Sequence, residues 1–167
     1  PSSYDLSDVL RYGSEGRNVI LVKVDATDYE GWWYEGSGIY RHVWLIKTDK
    51  IHVARYGTFV TTPSISDKEA VVNIKTTLQN EYKSVKSVTL VSKIVDAQGQ
   101  VLDRLTSSLP IKPFGQIEIE QEALVRNPAL WSPETPVLYE VQTEVMENGK
   151  IVDTYETTFG IRTVEMR

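Results

Sequence analysis

Cysteine is absent from the 167 residues, which excludes disulfides, thiol nucleophiles and thiolate-bound metals together. A chain of this length can bury a sufficient core without covalent staples, so the absence leaves the cellular compartment open. Histidine is scarce: only His42 and His52 occur. A metal site or a serine triad would have to recruit one of them, and neither lies beside a recognisable serine motif. Both read as core or edge imidazoles. No run of eighteen apolar residues is present, nor a basic start followed by an apolar stretch. The segment therefore reads as carrying neither a membrane span nor a signal peptide. Basic charge is not in excess either, with 18 Lys and Arg against 23 Asp and Glu for a net charge of −5. That balance argues against nucleic acid as a partner, which wants a basic face. The first residue is Pro1, and the expectation is a piece of a longer polypeptide.

What the chain does have is a period of two and dense turn punctuation. Residues 18–25 (NVILVKVD) and 42–48 (HVWLIKT) read as strands. Residues 70–78 alternate cleanly, with Val72, Ile74, Thr76 and Leu78 facing in against Asn73, Lys75 and Thr77. Residues 85–95 lead into Asp96-Ala97-Gln98-Gly99, a short loop with glycine where a positive φ is wanted. Residues 101–109 pair with that strand, and 115–121 alternate again. Residues 138–146 and 151–159 flank Asn148-Gly149, the strongest hairpin signal in the chain. No helical pattern lasts three turns. The fold class is all-β: about seven strands over residues 55–167, the number and spacing of an immunoglobulin-like β-sandwich.

Residues 1–54 hold too few strands to bury two sheet faces alone. Asp5 or Ser7 can cap a short helical turn there, and Gly13 can end it. Six aromatic residues (Tyr29, Trp32, Trp33, Tyr34, Tyr40 and Trp44) fall within sixteen positions, with Glu30 and Glu35 interleaved. Indole and phenol faces suit stacking on a sugar ring, and neighbouring carboxylates suit holding its hydroxyls. The plainer reading makes Tyr40 and Trp44 core and packs Trp32 and Trp33 between domains. Glu118, Glu120 and Glu122 share one strand face opposite Ile117 and Ile119, which reads as a solvated surface and not a catalytic pair.

Three stretches carry a resemblance to glycoside hydrolase family 2, the β-galactosidase, β-glucuronidase and β-mannosidase family. Trp32-Trp33-Tyr34-Glu35-Gly36-Ser37-Gly38-Ile39-Tyr40-Arg41, followed by Val43-Trp44-Leu45, resembles the end of that family's N-terminal sugar-binding jelly roll. Residues 18–25 match the strand before it. Leu130-Trp131-Ser132-Pro133-Glu134-Thr135-Pro136 with Leu138-Tyr139, then Phe159-Gly160-Ile161-Arg162 and Glu165, resembles the end of its immunoglobulin-like domain. The Trp-Trp-Tyr-Glu-Gly form is most like bacterial β-galactosidases.

The resemblance implies two parts: residues 1–54 as the C-terminal portion of a truncated jelly roll, and 55–167 as the immunoglobulin-like sandwich. It also implies that catalysis belongs elsewhere. The family's two catalytic glutamates sit on a following (β/α)₈ barrel, about 5 Å apart for the retaining mechanism. No catalytic residue is carried onto this chain, and no cofactor or metal is assigned to it. In family β-galactosidases the loop before Ser-Gly-Ile supplies an aspartate near the sugar and a bound cation. Aligned back from Ser37, that position is Trp32, so the substrate-proximal candidates are Glu30, Trp32, Trp33, Tyr34 and Glu35. The implied partners are the barrel, the first half of the jelly roll and, through the parent, a carbohydrate substrate. Family members in glycan-degrading bacteria are often exported, which gives periplasm or exterior as the expected location. Half a jelly roll would also leave an apolar sheet face and truncated edges open to dimerisation. A self-standing carbohydrate-binding or adhesion module is the alternative of a different class.

Overall fold

The computed structural model describes residues 3–13, 16–25 and 38–163. The chain divides into two units, Pro1–Leu45 and Ile46–Arg167.

The second unit is a sandwich of seven antiparallel strands: β1 (Ile51–Ile65), β2 (Glu69–Asn80), β3 (Lys86–Val95), β4 (Val101–Ile111), β5 (Gln116–Arg126), β6 (Tyr139–Glu147) and β7 (Lys150–Phe159). One sheet has the order β1-β2-β5 and the other β4-β3-β6-β7. All pairings are antiparallel. This is the immunoglobulin-like arrangement of two stacked sheets, with the fourth strand paired to the third. No helix occurs among the described residues.

Sequence periodicity explains most of this directly. In β2, burial alternates from Ala70 through Val72, Ile74, Thr76 and Leu78 to Asn80, as the pleat requires for one face against the core. Glu118, Glu120 and Glu122 project to solvent from β5. Lys75 lies 3.9 Å from Glu118 and 4.0 Å from Glu120, and Asn73 Nδ2 donates to Glu120 Oε1 at 2.6 Å. The β6–β7 hairpin turns at Asn148 (φ 50°) and Gly149 (φ 77°), the left-handed pair that matches strand twist. The β3–β4 turn is held by Asp96, whose carboxylate accepts from the Gln98 and Gln100 amides, both at 2.9 Å.

The edge strand β1 lacks a clean period. Its pairing with β2 shifts register between Val53 and Thr58, where Tyr56 takes φ 54°. At Gly57 an added Cβ would sit 2.5 Å from the Ala54 carbonyl oxygen and 2.9 Å from that of Thr77. This bulge breaks the alternation and hides the strand from a period-two search. β1 also runs through positions 54 and 55, between which the sequence reading divides the chain.

The core forms two clusters. One gathers Ala70, Val72, Ile74, Ile94, Ala123, Val125, Tyr139, Val141 and Ile161. The other gathers Ile51, Val53, Leu78, Val88, Leu90, Ile111, Ile119 and Val145. Asn80 is fully buried at the β2–β3 end. Its Nδ2 donates to the carbonyls of Ser84, Ile111 and Lys112, and its Oδ1 accepts from the Tyr82 amide. A buried amide is tolerated because both of its ends are partnered.

The first unit differs from the sequence expectation. Residues 18–25 and 42–48 form no strand. Val19, Leu21, Val43, Trp44 and Leu45 are all exposed. A strand needs a neighbour for its backbone groups and a layer for its apolar face; no ladder forms at either segment. Tyr40 and Trp44 are 88% and 78% exposed, which corrects their reading as core. The turn after Asp5 does form. The Leu6 carbonyl accepts from the Val9 and Leu10 amides, and the Ser7 amide donates to Asp5 Oδ1 at 2.9 Å. That backbone hydrogen bond holds the Asp5 carboxyl below its usual range.

Candidate functional site

The substrate-proximal candidates Glu30, Trp32, Trp33, Tyr34 and Glu35 lie outside the described residues, as do Ser37 and Glu165. On the described side of that segment, Gly38 takes φ 119°. Arg41 stands 5.5 Å over the Tyr40 ring, and His42 stacks on Trp44 at 5.5 Å between centroids. Tyr40 and Trp44 are solvent-facing, each with one of these neighbours on its ring. The second histidine, His52, lies on the edge strand β1 with Nδ1 2.8 Å from the Asp49 carbonyl oxygen. Among the described residues no three His, Asp or Glu side chains come together as a metal-binding group.

The structure does bring together two of the sequence motifs. Leu130–Pro136 and Phe159–Arg162 are about thirty residues apart in the chain and meet at one end of the sandwich. The Trp131 amide donates to the Ile161 carbonyl at 2.9 Å. Arg162 stacks over the Trp131 ring at 4.6 Å. Gly160 lies so close beneath the indole that an added Cβ would come within 2.9 Å of Trp131 Cβ and Cγ. Ile161 is completely buried in the core, and Thr62 Oγ1 donates to the Arg162 carbonyl at 3.1 Å. The proline-bearing loop keeps its own shape, since the Ser132 amide donates to the Thr135 carbonyl and the Thr135 amide returns to Ser132 Oγ. An open groove of about 550 Å³ runs beside this junction, lined by Val60, Trp131, Leu138, Phe159 and Arg162 among others.

Tyr139 completes the connection. Its hydroxyl accepts from the Ala129 amide at 2.8 Å while its ring packs on Phe159 at 5.7 Å. A tyrosine at the start of the sixth strand bonded back to the preceding corner is the tyrosine corner of immunoglobulin-like sandwiches. Sequence reasoning singled out Tyr139 as part of a motif but did not assign it this bond. The opposite end carries a cluster it missed. The Lys86 ammonium lies 4.1 Å above the Tyr82 ring and 2.7 Å from Glu147 Oε1, and Tyr82 hydroxyl donates to Asp49 at 3.3 Å. The hydrogen bond to Glu147 raises the Lys86 pKa, and desolvation followed by the Asp49 charge raises that of Tyr82.

The fold and the Trp131–Gly160–Arg162 junction define an immunoglobulin-like sandwich whose last strand is locked to its longest connection. The family model for glycosyl hydrolases family 2 matches residues 51–162. The chain belongs to that family. It is 42% identical over 165 residues to the β-galactosidase BoGH2A of Bacteroides ovatus, covering 98% of this chain and 19% of that protein. To a β-glucuronidase of Formosa agariphila it is 32% identical over 183 residues, covering 97% and 18%. Among solved structures, a family 2 β-glucuronidase superposes with a TM-score of 0.67 at 32% identity, over 70% of this chain and 13% of that one. A family 2 member from Bacteroides cellulosilyticus gives 0.68 at 30% identity, over 71% and 15%. The chain thus spans about a fifth or less of the length of these relatives.

Proposed function

We propose that this chain is a non-catalytic part of a retaining β-glycosidase, most closely of the β-galactosidase kind, and that its sandwich is a scaffold for a catalytic barrel. The observation that carries this reading is the match to BoGH2A, 42% identity along 98% of this chain but only 19% of that β-galactosidase. The geometry supports the scaffold role. The segment ending at Arg162 is clamped through Trp131, Thr62 and the buried Ile161, which makes it a fixed anchor point on the sandwich. A barrel held there would supply both catalytic glutamates; this chain supplies none and needs no cofactor. Glu30, Trp32, Trp33, Tyr34 and Glu35 would shape the sugar pocket from the upstream side.

The test is turnover of chromogenic β-galactosides and β-glucuronides by the 167-residue chain and by the natural polypeptide containing it. The proposal expects hydrolysis by the natural polypeptide and none above background by the chain alone. Catalysis by the isolated chain would overturn it. Millimolar galactoside binding by the chain, lost in Trp33→Ala, would instead favour a self-standing carbohydrate-binding module.

A further inference from the structure

The two apolar clusters of the sandwich do not touch along a purely apolar seam. On the first sheet, Thr76 stands between Ile74 of one cluster and Leu78 of the other. Gln121 stands likewise between Ile119 and Ala123, and Thr58 lies between Val53 and Val60 on β1. On the second sheet Ser92 separates Leu90 from Ile94, Thr143 separates Val145 from Val141, and Thr157 separates Tyr155 from Phe159. The register sets Thr58 opposite Thr76 and Ser92 opposite Thr143. Gln121, opposite Ile74, and Thr157, opposite Val141, take the diagonal places. Each inner face therefore carries a row of three polar side chains at the level where the clusters meet.

The unpartnered oxygens are sealed from bulk solvent. Thr76 and Ser92 are 0% exposed, Thr143 1% and Gln121 6%, while Thr58 and Thr157 are half-buried residues whose hydroxyls point inward from solvent. Gln121 Nε2 donates to Ser107 Oγ at 3.0 Å. Its Oε1 and the hydroxyls of Thr58, Thr76, Ser92, Thr143 and Thr157 reach no protein partner. So many orphaned buried groups are out of scale with the narrow margin by which a domain folds. Valine or alanine in their places would carry none of that penalty. Ser92 ends at its hydroxyl where its neighbours Leu90 and Ile94 carry branched chains.

We propose that this belt is an internal water-binding site, in which ordered water molecules bridge the two sheets through these five hydroxyls and Gln121 Oε1. A buried water needs two to four polar partners, and facing rows provide them. None of the six side chains is charged, which selects a neutral ligand. Water both donates and accepts, as a mixture of hydroxyls and an amide oxygen demands. The site is independent of the catalytic reading.

Oxygen-17 magnetic relaxation dispersion on the folded 167-residue chain tests it, because this signal arises from long-lived water alone and not from exchanging hydroxyl protons. The expected result is a dispersion from at least one long-lived water that diminishes in the Thr76→Val, Thr143→Val double variant. Absence of dispersion in the parent chain, or dispersion untouched by the double variant, overturns the proposal. Stability gives a second readout. With waters bound, Thr76→Val strands them and lowers the folding equilibrium constant roughly three- to tenfold; a dry belt makes the same change stabilising. Should the variants fail to fold, a high-resolution crystal structure of the unaltered chain decides, through density or its absence between Thr76 and Thr143.

Discussion

Gly160→Ala tests the junction on which the scaffold reading rests. The added methyl would lie 2.9 Å from Trp131 Cβ and Cγ and 3.0 Å from Cδ1, whereas non-bonded carbons prefer about 3.5–4.0 Å. Trp131 must retreat by roughly half an ångström or more to reach that contact distance. Its retreat is opposed by the hydrogen bond its amide donates to the Ile161 carbonyl and by the Arg162 guanidinium stacked on its ring. Overpacking of this kind costs about 1–3 kcal/mol, and a weakened cation–π contact adds about 0.5–1 kcal/mol. We expect a loss of about 2–3 kcal/mol, read as a lower urea midpoint at unchanged slope. The control is the same change in a Trp131→Ala background, where the clash partner is gone. There the substitution should cost less than about 1 kcal/mol, so that the double-mutant cycle shows coupling above about 1 kcal/mol. A Gly160→Ala cost within about 0.5 kcal/mol of zero, or an equal cost in both backgrounds, would refute the reasoning.

Gly57→Ala should be at least as damaging, about 3 kcal/mol or more, because the clashing atoms are backbone carbonyls that cannot rotate away; thermal denaturation would show it. Asn80→Ala removes both ends of a buried network at once and should cost about 3 kcal/mol; a midpoint near the parent's would contradict it. Tyr82 and Lys86 both have raised folded-state pKa values. Their contribution is fully present below the ordinary values of 10.0 and 10.5 and is lost as pH rises through the raised ones. Stability should therefore fall above pH 10, and a slope unchanged in the Tyr82→Phe, Lys86→Met variant would dispose of that assignment.

How much of this was legible in the sequence follows from where the physics is local. β2, β4 and β6 announce themselves because their burial alternates, and β3 and β7 because the turns beside them are spelled by Asp96–Gly99 and Asn148-Gly149. The inward Thr76, midway along a run of aliphatic positions, was legible too. β1 was not, since a bulge at Arg55-Tyr56-Gly57 resets its period, and β5 runs past the expected Gln121 to Arg126. Residues 18–25 and 42–48 show the reverse failure: an alternating stretch or a short apolar run cannot by itself say whether a partner strand exists, and neither segment forms a ladder. At the Trp131 end, the motif residues were readable as a family resemblance, but their meeting was not. Contact between residues 131 and 160 depends on β6 and β7 returning the chain to its connection, which no local pattern encodes. The cluster of Asp49, Tyr82, Lys86 and Glu147 is of the same kind, assembled from three separated stretches.

The central claim is that these residues serve a larger family 2 enzyme, and the intact mass of the natural polypeptide containing them tests it most directly. With this chain covering 19% of BoGH2A, the account predicts a polypeptide of about five times 18.9 kDa. A natural polypeptide close to 18.9 kDa would leave no room for a catalytic barrel and would contradict it.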